Sequence, residues 1–275
     1  MTGPEAAQAK LQGIAAAPEE RDLAPRFPDL AGKLVLVTGA TTGIGAEIAR
    51  QAAHNAAIPM LIGRRQANLE QVAAQIADET GVRAPVVTAD VGDEDAVRRI
   101  VTTALDVAEQ IDVVVHSAGL FHYLSFEETD ATLLDDMYRT NVRGPFILTR
   151  AVLPHLSNPA SIVFIGSNVA QMGYPFSSAY TASKGGVEAL ARCLAVELAP
   201  RGVRVNTVSP GLTKTDMTVR MREDPELELA ARAVIPANRI GETREIAAAA
   251  LFLASGSSSY AVGATLTVDG GHSIP

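Results

Sequence analysis

The chain reads Leu34-Val35-Leu36-Val37-Thr38-Gly39-Ala40-Thr41-Thr42-Gly43-Ile44-Gly45 near its start, and a helical pattern follows from Ala46 to about Asn55. The apolar residues before Thr38 predict a buried strand, and the glycines predict a tight turn into the helix. Glycines let the backbone approach a pyrophosphate, and a helix N-terminus favours negative charge. Strand, glycine turn and helix in this order are typical of a dinucleotide-binding fold, although the Gly-x-x-x-Gly-x-Gly spacing differs from the commoner Gly-x-Gly-x-x-Gly.

Strand and helix patterns alternate along the rest of the chain. Apolar strand runs are predicted at 34–37, 58–62, 84–89, 111–116, 162–166, 203–208 and 265–268. Helical patterns are predicted at 46–55, 66–80, 94–110, 130–156, 178–198 and 243–255, with irregular or short helical structure at 212–240. Because the strand runs are continuously apolar, we expect an α/β fold with a parallel sheet covered by helices on both faces.

The domain organisation is simple. No composition break divides the chain after residue 33, so we expect a single domain over residues 33–275. Residues 1–32 are rich in Ala, Glu and Pro and carry no recognisable chemistry, so we expect a flexible N-terminal extension.

Composition and charge narrow the class of protein. The 275 residues are 47% hydrophobic, an ordinary value for a globular protein. We expect no membrane span and no secretory signal, because no apolar run approaches about 18 residues and the start lacks a basic, then apolar, pattern. A net charge of −8 argues against nucleic acid or an anionic membrane as the main partner.

Cysteine and histidine usage points to a reducing compartment without a metal centre. A single cysteine, Cys193, excludes an internal disulfide framework and fits a cytoplasmic location. It lies in a helical pattern, where we expect a small core residue. No Cys/His cluster has zinc-ligand spacing, so we expect no metal site.

A pair of residues four apart, Tyr180 and Lys184, is the strongest candidate for catalysis. In a helix the two side chains share one face, one turn apart. An ammonium group there favours the phenolate and lowers a tyrosine pKa that is ordinarily about 10, which would allow proton exchange near neutral pH. Ser167 ends a predicted strand and could donate a hydrogen bond to the same substrate oxygen. The pair alone would also suit a solvated helix face.

The position of these residues in the fold favours the catalytic interpretation. The glycine turn, Asp90, Ser117, Ser167 and the Pro210-Gly211 pair all follow predicted strands. Ligands of parallel sheets bind at the carboxyl ends of the strands. We therefore expect these residues to meet at one edge of the sheet.

Together these residues resemble the short-chain dehydrogenase/reductase family, over roughly residues 33 to 271. The resemblance rests on Thr-Gly-x-x-x-Gly-Ile-Gly at the first turn, Ser167 with Tyr180-x-x-x-Lys184, Pro-Gly-x-x-x-Thr at 210–215 and Asp-Gly-Gly at 269–271. It implies a single Rossmann-type, doubly wound, seven-stranded parallel sheet. It also implies hydride transfer between a nicotinamide cofactor and a secondary alcohol or ketone.

The resemblance assigns roles to individual residues. Tyr180 would be the general acid/base, Ser167 would polarise the substrate oxygen, and Lys184 would hold the nicotinamide ribose and lower the tyrosine pKa. Asn141 would hold a water that links Lys184 to solvent. Asp90 would reach the adenine and Thr215 the nicotinamide carboxamide. The cofactor site as a whole would comprise Gly39, Thr41, Thr42, Gly43, Ile44, Gly45, Arg64, Arg65, Asp90, Val91, Ser117, Ala118, Gly119, Tyr180, Lys184, Pro210, Gly211, Thr213 and Thr215.

One segment departs from the family pattern. His116-Ser117-Ala118-Gly119 stands where the family usually has Asn-Asn-Ala-Gly. Ala118 and Gly119, which pass close to the cofactor, are kept, so we expect the change to affect stability more than chemistry. A hydrogen-bonded histidine at a strand end is favoured over His116 as a catalytic base.

The end of the second strand bears on cofactor choice. Gly63-Arg64-Arg65 stands where an NAD enzyme of this fold usually places Asp or Glu for the ribose 2′-hydroxyl. A guanidinium can bind the 2′-phosphate of NADP through two parallel hydrogen bonds. We therefore predict NADP(H), with NAD(H) as the alternative because Thr42 replaces the second basic residue of many NADP enzymes in the family.

The loops expected to frame the substrate are rich in aromatic residues and methionine, which predicts an apolar, fairly bulky ketone or secondary alcohol. Packing in a core or a subunit interface would explain several of these residues equally well. The substrate candidates are Phe121, His122, Met172, Tyr174 and Met217.

Other functions are carried as alternatives. A 3-oxoacyl-carrier-protein reductase would be expected to have a basic cluster at 155–159, which is absent, and Arg201 is the only nearby basic residue we can nominate. An NAD-dependent alcohol dehydrogenase is a second alternative. A non-catalytic cofactor-binding protein would predict a broken Ser/Tyr/Lys set, and this set is intact. The family also implies a homotetramer or homodimer built on the helices near 130–156 and 178–198.

Overall fold

The computed structural model of the chain describes residues 26–274. The strands are β1 (Leu34–Thr38), β2 (Ile58–Gly63), β3 (Val86–Thr88), β4 (Ile111–His116), β5 (Leu156–Ile165), β6 (Val203–Pro210) and β7 (Thr265–Val268). The α-helices are α1 (Gly43–His54), α2 (Gln66–Thr80), α3 (Glu94–Val107), α4 (Ala131–Tyr138), α5 (Gly144–Val152), α6 (Ser178–Leu198), α7 (Val219–Glu223), α8 (Pro225–Ala233) and α9 (Thr243–Ala254).

The seven strands form one parallel sheet in the order β3-β2-β1-β4-β5-β6-β7. This order confirms the predicted doubly wound Rossmann-type fold. The direction of winding reverses between β1 and β4, and a crevice opens at such a switch point beyond the carboxyl ends of the strands. The fold therefore brings the first glycine turn beside the segment that follows β4.

Side chains alternate between the two faces of the sheet, as the pleat of a strand requires. Val35 and Val37 of β1 pack on one face in a core that includes residues of α1, α2 and α9. Leu34 and Leu36 point to the other face, where α3, α5 and α6 supply the facing residues. Both faces of the sheet are covered by helices, which explains why the strand sequences show apolar runs instead of an alternating pattern.

The prediction of one long helix over residues 130–156 is wrong in two respects. It is interrupted by a π-helical turn over Arg139–Arg143, which separates α4 from α5, and it ends at Val152 before a short 3-10 turn. The following strand β5 begins at Leu156 and pairs with Ile111, so it is longer than the predicted apolar run. The third strand is shorter than predicted, and α1 already starts at Gly43.

The domain begins earlier than the predicted boundary at residue 33. Phe27 and Leu30 are buried in the core on the α1 side of the sheet, and the Asp29 carboxylate accepts a hydrogen bond from the Gly256 backbone N–H at 2.7 Å. Residues 1–25 of the predicted extension lie outside the described part of the chain.

Two further features concern surfaces. Cys193 is exposed on α6, which corrects its assignment to the core, because the position faces away from the sheet. Across residues 26–274, no helix is both long enough and apolar enough to cross a lipid bilayer.

Candidate active site

The glycine turn after β1 packs directly against the backbone that follows β4. Gly39 has a φ of +71°, and a Cβ atom on it would lie 2.8 Å from the Cα of Ala118. A Cβ on Gly45 would lie 2.4 Å from the Gly39 carbonyl oxygen. The Thr38 hydroxyl accepts hydrogen bonds from the N–H groups of Ser117 and Ala118, both at 3.1 Å. No side chain fits at Gly39 or Gly45, and the backbone of the turn is bare at these two positions.

Thr215 closes the other side of the turn. A Cβ on Gly43 would lie 3.2 Å from the Thr215 Cγ2 atom, so this side chain lies beside the N-terminus of α1. Thr213 is buried, and its hydroxyl donates to the Gly211 carbonyl at 2.9 Å. The segment after β6 therefore lies beside the start of α1, and its predicted contact with a cofactor stays a prediction.

Arg65 reaches back over the glycine turn. Its Nη2 atom donates to the Thr41 hydroxyl at 3.1 Å and to the Thr42 hydroxyl at 3.4 Å. Arg64 is exposed beside it. Ile44, one residue into α1, is partly buried against the core and anchors the start of the helix. The guanidinium of Arg65 therefore lies at the turn between β1 and α1, at the same edge of the sheet.

Asp90 follows β3 and is already held by the protein. Its Oδ1 atom accepts from the Gly92 N–H at 2.9 Å, and its Oδ2 atom is 3.2 Å from the Arg139 guanidinium. Val91 is buried and packs against Gly144, where a Cβ would lie 2.7 Å from the valine Cγ2. The predicted adenine contact of Asp90 stays a prediction.

Tyr180, Ser167 and Lys184 meet at the carboxyl end of β5. Burial raises the pKa of Tyr180 to about 12, and a hydrogen bond from the Ser167 hydroxyl opposes this change. The Lys184 Nζ atom lies 5.7 Å from the centre of the tyrosine ring. Hydroxyl, phenol and amine therefore share one small site, as the spacing of the sequence motifs predicts.

The expected lowering of the tyrosine pKa by Lys184 is not found. The lysine Nζ donates to the Ile165 carbonyl at 2.7 Å, and burial lowers the pKa of Lys184 to about 8, while the Glu188 carboxylate raises it. Desolvation of the phenol is the largest influence on Tyr180, and it favours the neutral form. The motif predicted the contact, but the burial of both groups decides the protonation.

Asn141 lies in the π-helical turn and is almost completely buried. Its amide donates to the Leu120 carbonyl and to the Ser183 hydroxyl, both at 2.9 Å, and its carbonyl oxygen accepts from the Leu120 N–H at 2.7 Å. A Cβ on Gly119 would lie 3.7 Å from both the Asn141 Oδ1 and the Lys184 Nζ. Asn141 therefore ties the β4 loop to α6 beside the lysine. Its water-holding role stays a prediction.

His116 ends β4 inside the core, in agreement with the strand-end interpretation. Its Nε2 atom lies 2.8 Å from the Thr149 hydroxyl, and its ring packs 4.7 Å from the ring of Phe164. Burial lowers its pKa to about 3, so the imidazole is neutral at ordinary pH. The side chain is 3% exposed and braces α5 against the sheet.

An aromatic wall lines the loops beside Tyr180. The Phe121 ring meets the Tyr180 ring edge-on at 4.8 Å, and Tyr123 lies 5.2 Å from Phe176. The Leu124 N–H donates to the Phe176 carbonyl at 2.9 Å, which joins the loop after β4 to the loop before α6. Of the substrate candidates, Phe121 therefore contacts Tyr180.

The other substrate candidates lie further out. His122 and Met217 are exposed, and Met172 is partly buried. Tyr174 is half-exposed, and burial together with the charge of Tyr123 raises its pKa.

Sequence reasoning missed a polar cluster formed by Asn168, Asp269 and His272. The Asn168 amide nitrogen is 3.3 Å from both the Asp269 Oδ2 and the His272 Nδ1, and the His272 ring meets Tyr174 at 6.3 Å. Burial opposes ionisation of Asp269, but hydrogen bonds from Ser273 and others outweigh it and lower the Asp269 pKa. The Asp-Gly-Gly motif at 269–271 was the one available signal, and it did not indicate this contact. No group of His, Cys, Asp and Glu among residues 26–274 is arranged to hold a metal ion.

Comparison with known proteins agrees with this architecture. The family whose sequence model matches residues 39–273 is described as enoyl-(acyl carrier protein) reductase. Galactitol 2-dehydrogenase (L-tagatose-forming) of Cereibacter sphaeroides is 41% identical over 249 residues, which cover 89% of this chain and 96% of the relative. Glucose 1-dehydrogenase of Gluconobacter oxydans is 38% identical, and the match covers 90% of this chain and 94% of the relative. A solved dehydrogenase/reductase from Sinorhizobium meliloti 1021 superposes with a TM-score of 0.84 at 36% identity, covering 89% of this chain and 96% of that one.

The fold and the site define an oxidoreductase of the class that acts on alcohol and ketone groups and generally uses NAD(P)(H). Within that class, the chain belongs to the short-chain dehydrogenase/reductase family, as the sequence motifs predicted.

Proposed function

We propose that this chain is an NADP(H)-dependent oxidoreductase that interconverts a secondary alcohol and a ketone, with Tyr180 as the general acid/base. The observation that carries the proposal is the meeting of the Ser167 hydroxyl, the Tyr180 phenol and the Lys184 amine, on the same sheet edge as a glycine turn with no room for a Cβ atom at Gly39 or Gly45. A proton donor, a hydrogen-bond donor and a cation within one site are what reduction of a carbonyl requires.

The glycine turn fits a dinucleotide. Its backbone leaves no space for Cβ atoms at Gly39 and Gly45, and α1 begins at Gly43, so free N–H groups and the helix dipole face the crevice. These groups would hold the pyrophosphate, and Thr215 would hold the nicotinamide carboxamide. The bound cofactor supplies a hydride in ketone reduction and accepts one in alcohol oxidation.

Tyr180 moves the proton. With a pKa of about 12 the phenol is neutral at ordinary pH, which is the form that donates a proton to the oxygen of a ketone being reduced. Ser167 donates a hydrogen bond to the same oxygen and stabilises the charge that develops there. In the oxidation direction Tyr180 acts as the base, and the positive charge of an oxidised nicotinamide would oppose the effect of burial on the Tyr180 pKa.

Arg65 supports NADP(H). Its guanidinium is held at the glycine turn by the hydroxyls of Thr41 and Thr42, where it can meet a 2′-phosphate. The first carboxylate along the sequence after β2, Glu70, instead accepts a hydrogen bond from Gln66 at 2.7 Å. Arg64 would add a second positive charge. NAD(H) stays the alternative cofactor.

An apolar, bulky substrate is supported by the aromatic wall. Phe121 contacts Tyr180, and Tyr123 and Phe176 extend the same surface outward. Ring faces of this kind bind cyclic or long-chain carbon skeletons. Met172, Tyr174 and Met217 would frame the entrance.

A polyhydroxylated substrate is the second candidate. The two reported relatives are named for galactitol and glucose, which are polar. The cluster of Asn168, Asp269 and His272 beside Ser167 supplies polar groups that an entirely apolar substrate would leave unused.

Reduction of acyl groups on a carrier protein receives less support. The segment at 155–159 carries no Lys or Arg, and Arg201 donates to the Leu153 carbonyl at 3.4 Å. An acidic carrier would find little positive charge on this surface.

We also propose a cytoplasmic homotetramer or homodimer. Large apolar side chains are exposed on the helices that the family uses for assembly, including Phe146 at 50% and Val196 at 78%. Exposed Cys193 lies on the same helix as Val196. Such a surface is typical of an interface between subunits, and sedimentation velocity would measure the assembly.

The deciding experiment is a substrate panel with both cofactors, followed by nicotinamide absorbance. Cyclic and long-chain ketones and alcohols are compared with galactitol and glucose, and Tyr180→Phe protein serves as the control for contaminating activity. We expect turnover of the apolar compounds with higher kcat/KM for NADP(H). Faster turnover of the sugars would replace the apolar candidate, and absence of turnover of any compound would refute the function.

A further inference from the structure

The C-terminal turn of the domain returns to the catalytic edge of the sheet. It follows β7, the neighbour of β6, and Gly270 and Gly271 both have positive φ, at +65° and +89°. These two residues reverse the chain, because L side chains rarely adopt such angles. His272 is consequently placed against Asn168, the residue next to Ser167.

The orientation of the Asn168 amide is fixed by its partners. Its nitrogen lies 3.3 Å from the Asp269 carboxylate, which can only accept hydrogen bonds when ionised. Asp269 is itself held by the N–H groups of Gly271 at 2.9 Å and Ser273 at 2.8 Å. The NH₂ group of Asn168 therefore faces both Asp269 and His272.

This arrangement selects one tautomer of His272. Because the Asn168 NH₂ group donates, the His272 Nδ1 atom must accept, and the ring proton of the neutral imidazole is on Nε2. The ring also packs edge-on against Tyr174, and His272 is partly exposed. The Nε2–H group therefore remains as the donor of the ring, and within residues 26–274 it has no hydrogen-bond partner.

We propose that His272 is a specificity-determining residue that donates from Nε2 to a second oxygen of the substrate. This inference rests on the proposed alcohol–ketone function and narrows it. The substrate would carry a bulky carbon skeleton against Phe121, the reacting oxygen at Tyr180 and Ser167, and a second hydroxyl or carbonyl oxygen at His272. Asn168 and Asp269 are positioning residues, since they act through the imidazole.

The test uses four alcohols of one ring size: cyclohexanol and its 1,2-, 1,3- and 1,4-diols. We expect wild-type protein to prefer at least one diol over cyclohexanol by about three- to tenfold in kcat/KM, the contribution of one neutral hydrogen bond. His272→Phe keeps a ring beside Tyr174 but has no donor. It should abolish the preference by raising the KM for the diol, with cyclohexanol kinetics unchanged. His272→Gln, which retains a donor, should restore part of the preference.

The outcomes separate the two proposals. If His272→Phe slows cyclohexanol and diol equally, the residue has a structural role and the inference is wrong. The same conclusion holds if wild type shows no diol preference while turning over cyclohexanol. If the wild-type protein turns over none of the four alcohols, and none of the compounds in the broader panel, the proposed function itself fails.

Discussion

Acid should destabilise this protein through a single buried imidazole. His116 is 3% exposed, and burial lowers its pKa to about 3 from an ordinary value of 6.5. Below pH 6.5 the unfolded chain binds a proton at this residue that the folded chain does not. The free energy of unfolding is therefore fully retained above pH 6.5 and decreases as the pH falls from 6.5 toward 3.

The size of the effect follows from the width of that window. Each pH unit between 6.5 and 3 lowers the free energy of unfolding by about 1.4 kcal/mol. Between about pH 7 and about pH 5, His116 should reduce the free energy of unfolding by about 2 kcal/mol. The pKa of Lys184 is lowered to about 8 from 10.5, so this residue affects stability only at alkaline pH. Its contribution should raise the free energy of unfolding as the pH increases from about 8 to 10.5.

The assay is urea unfolding at several pH values and one protein concentration, for wild type and His116→Asn. Asparagine does not titrate and can still hydrogen bond to the Thr149 hydroxyl. Between about pH 7 and about pH 5, the free energy of unfolding should fall by about 2 kcal/mol less in the variant than in wild type. This difference does not depend on how stable the variant is at neutral pH. Val114→Ala is the control, because it removes buried side-chain volume from the same strand without removing a titrating group, and it should lower the stability at every pH while keeping the wild-type slope. Parallel pH curves for wild type and His116→Asn would refute the reasoning.

Two predictions address catalysis and cofactor choice. Tyr180→Phe should reduce kcat by roughly a hundred- to ten-thousandfold with cofactor binding intact. Tyr260→Phe, at a fully exposed position, is the control and should behave as wild type. A Tyr180→Phe protein with more than about a tenth of the wild-type rate would contradict the assignment. Arg65→Leu should lower kcat/KM for NADP(H) by about ten- to a hundredfold and leave NAD(H) nearly unchanged, with exposed Arg99→Leu as the control. If the ratio of kcat/KM for NADP(H) to kcat/KM for NAD(H) is unchanged in Arg65→Leu, Arg65 does not bind the 2′-phosphate.

Replacing Arg65 tests the basis of the cofactor preference more cleanly than introducing an acidic residue at Gly63. A Cβ there would lie 2.7 Å from the Thr41 Cγ2 atom and 3.4 Å from the Leu69 Cδ2 atom. Gly63→Asp would therefore displace the glycine turn as well as change its charge. Loss of NADP(H) binding in that variant could not be assigned to electrostatics alone.

The sequence was sufficient for features that depend on local pattern. Continuous apolar runs located the strands, because both faces of the sheet are covered, and α2, α6, β4 and β7 have the predicted bounds. The four-residue spacing of Tyr180 and Lys184 correctly placed both side chains together, since a helix fixes that geometry. The glycine spacing likewise predicted a turn whose backbone can be approached closely, and a Cβ atom has no room at Gly39 or Gly45.

Features that depend on long-range contacts could not be predicted. Asn168 follows β5 and His272 follows β7, 104 positions apart, and the pairing of both strands with β6 brings them together. The direction of the Tyr180 pKa shift depends on how deeply the phenol is buried, which no spacing encodes. Cys193 lies on a helix with apolar residues on several sides, so its exposure could not be predicted from periodicity.

The π-helical turn at Arg139–Arg143 has a consequence for changes in chain length. A π-turn accommodates one residue more than an α-turn, so the faces of α4 and α5 are offset by about 100° from a continuous helix. The π-turn lets the chain carry one extra residue while α4 and α5 keep the faces that a regular helix with one residue fewer would present. Met137 before the turn and Leu148 after it are both buried. Deleting one residue from the turn would close it to a regular α-turn and keep these two side chains buried, but it would move Asn141 away from its partners Leu120 and Ser183. We expect such a deletion to impair the site more than the stability of the fold.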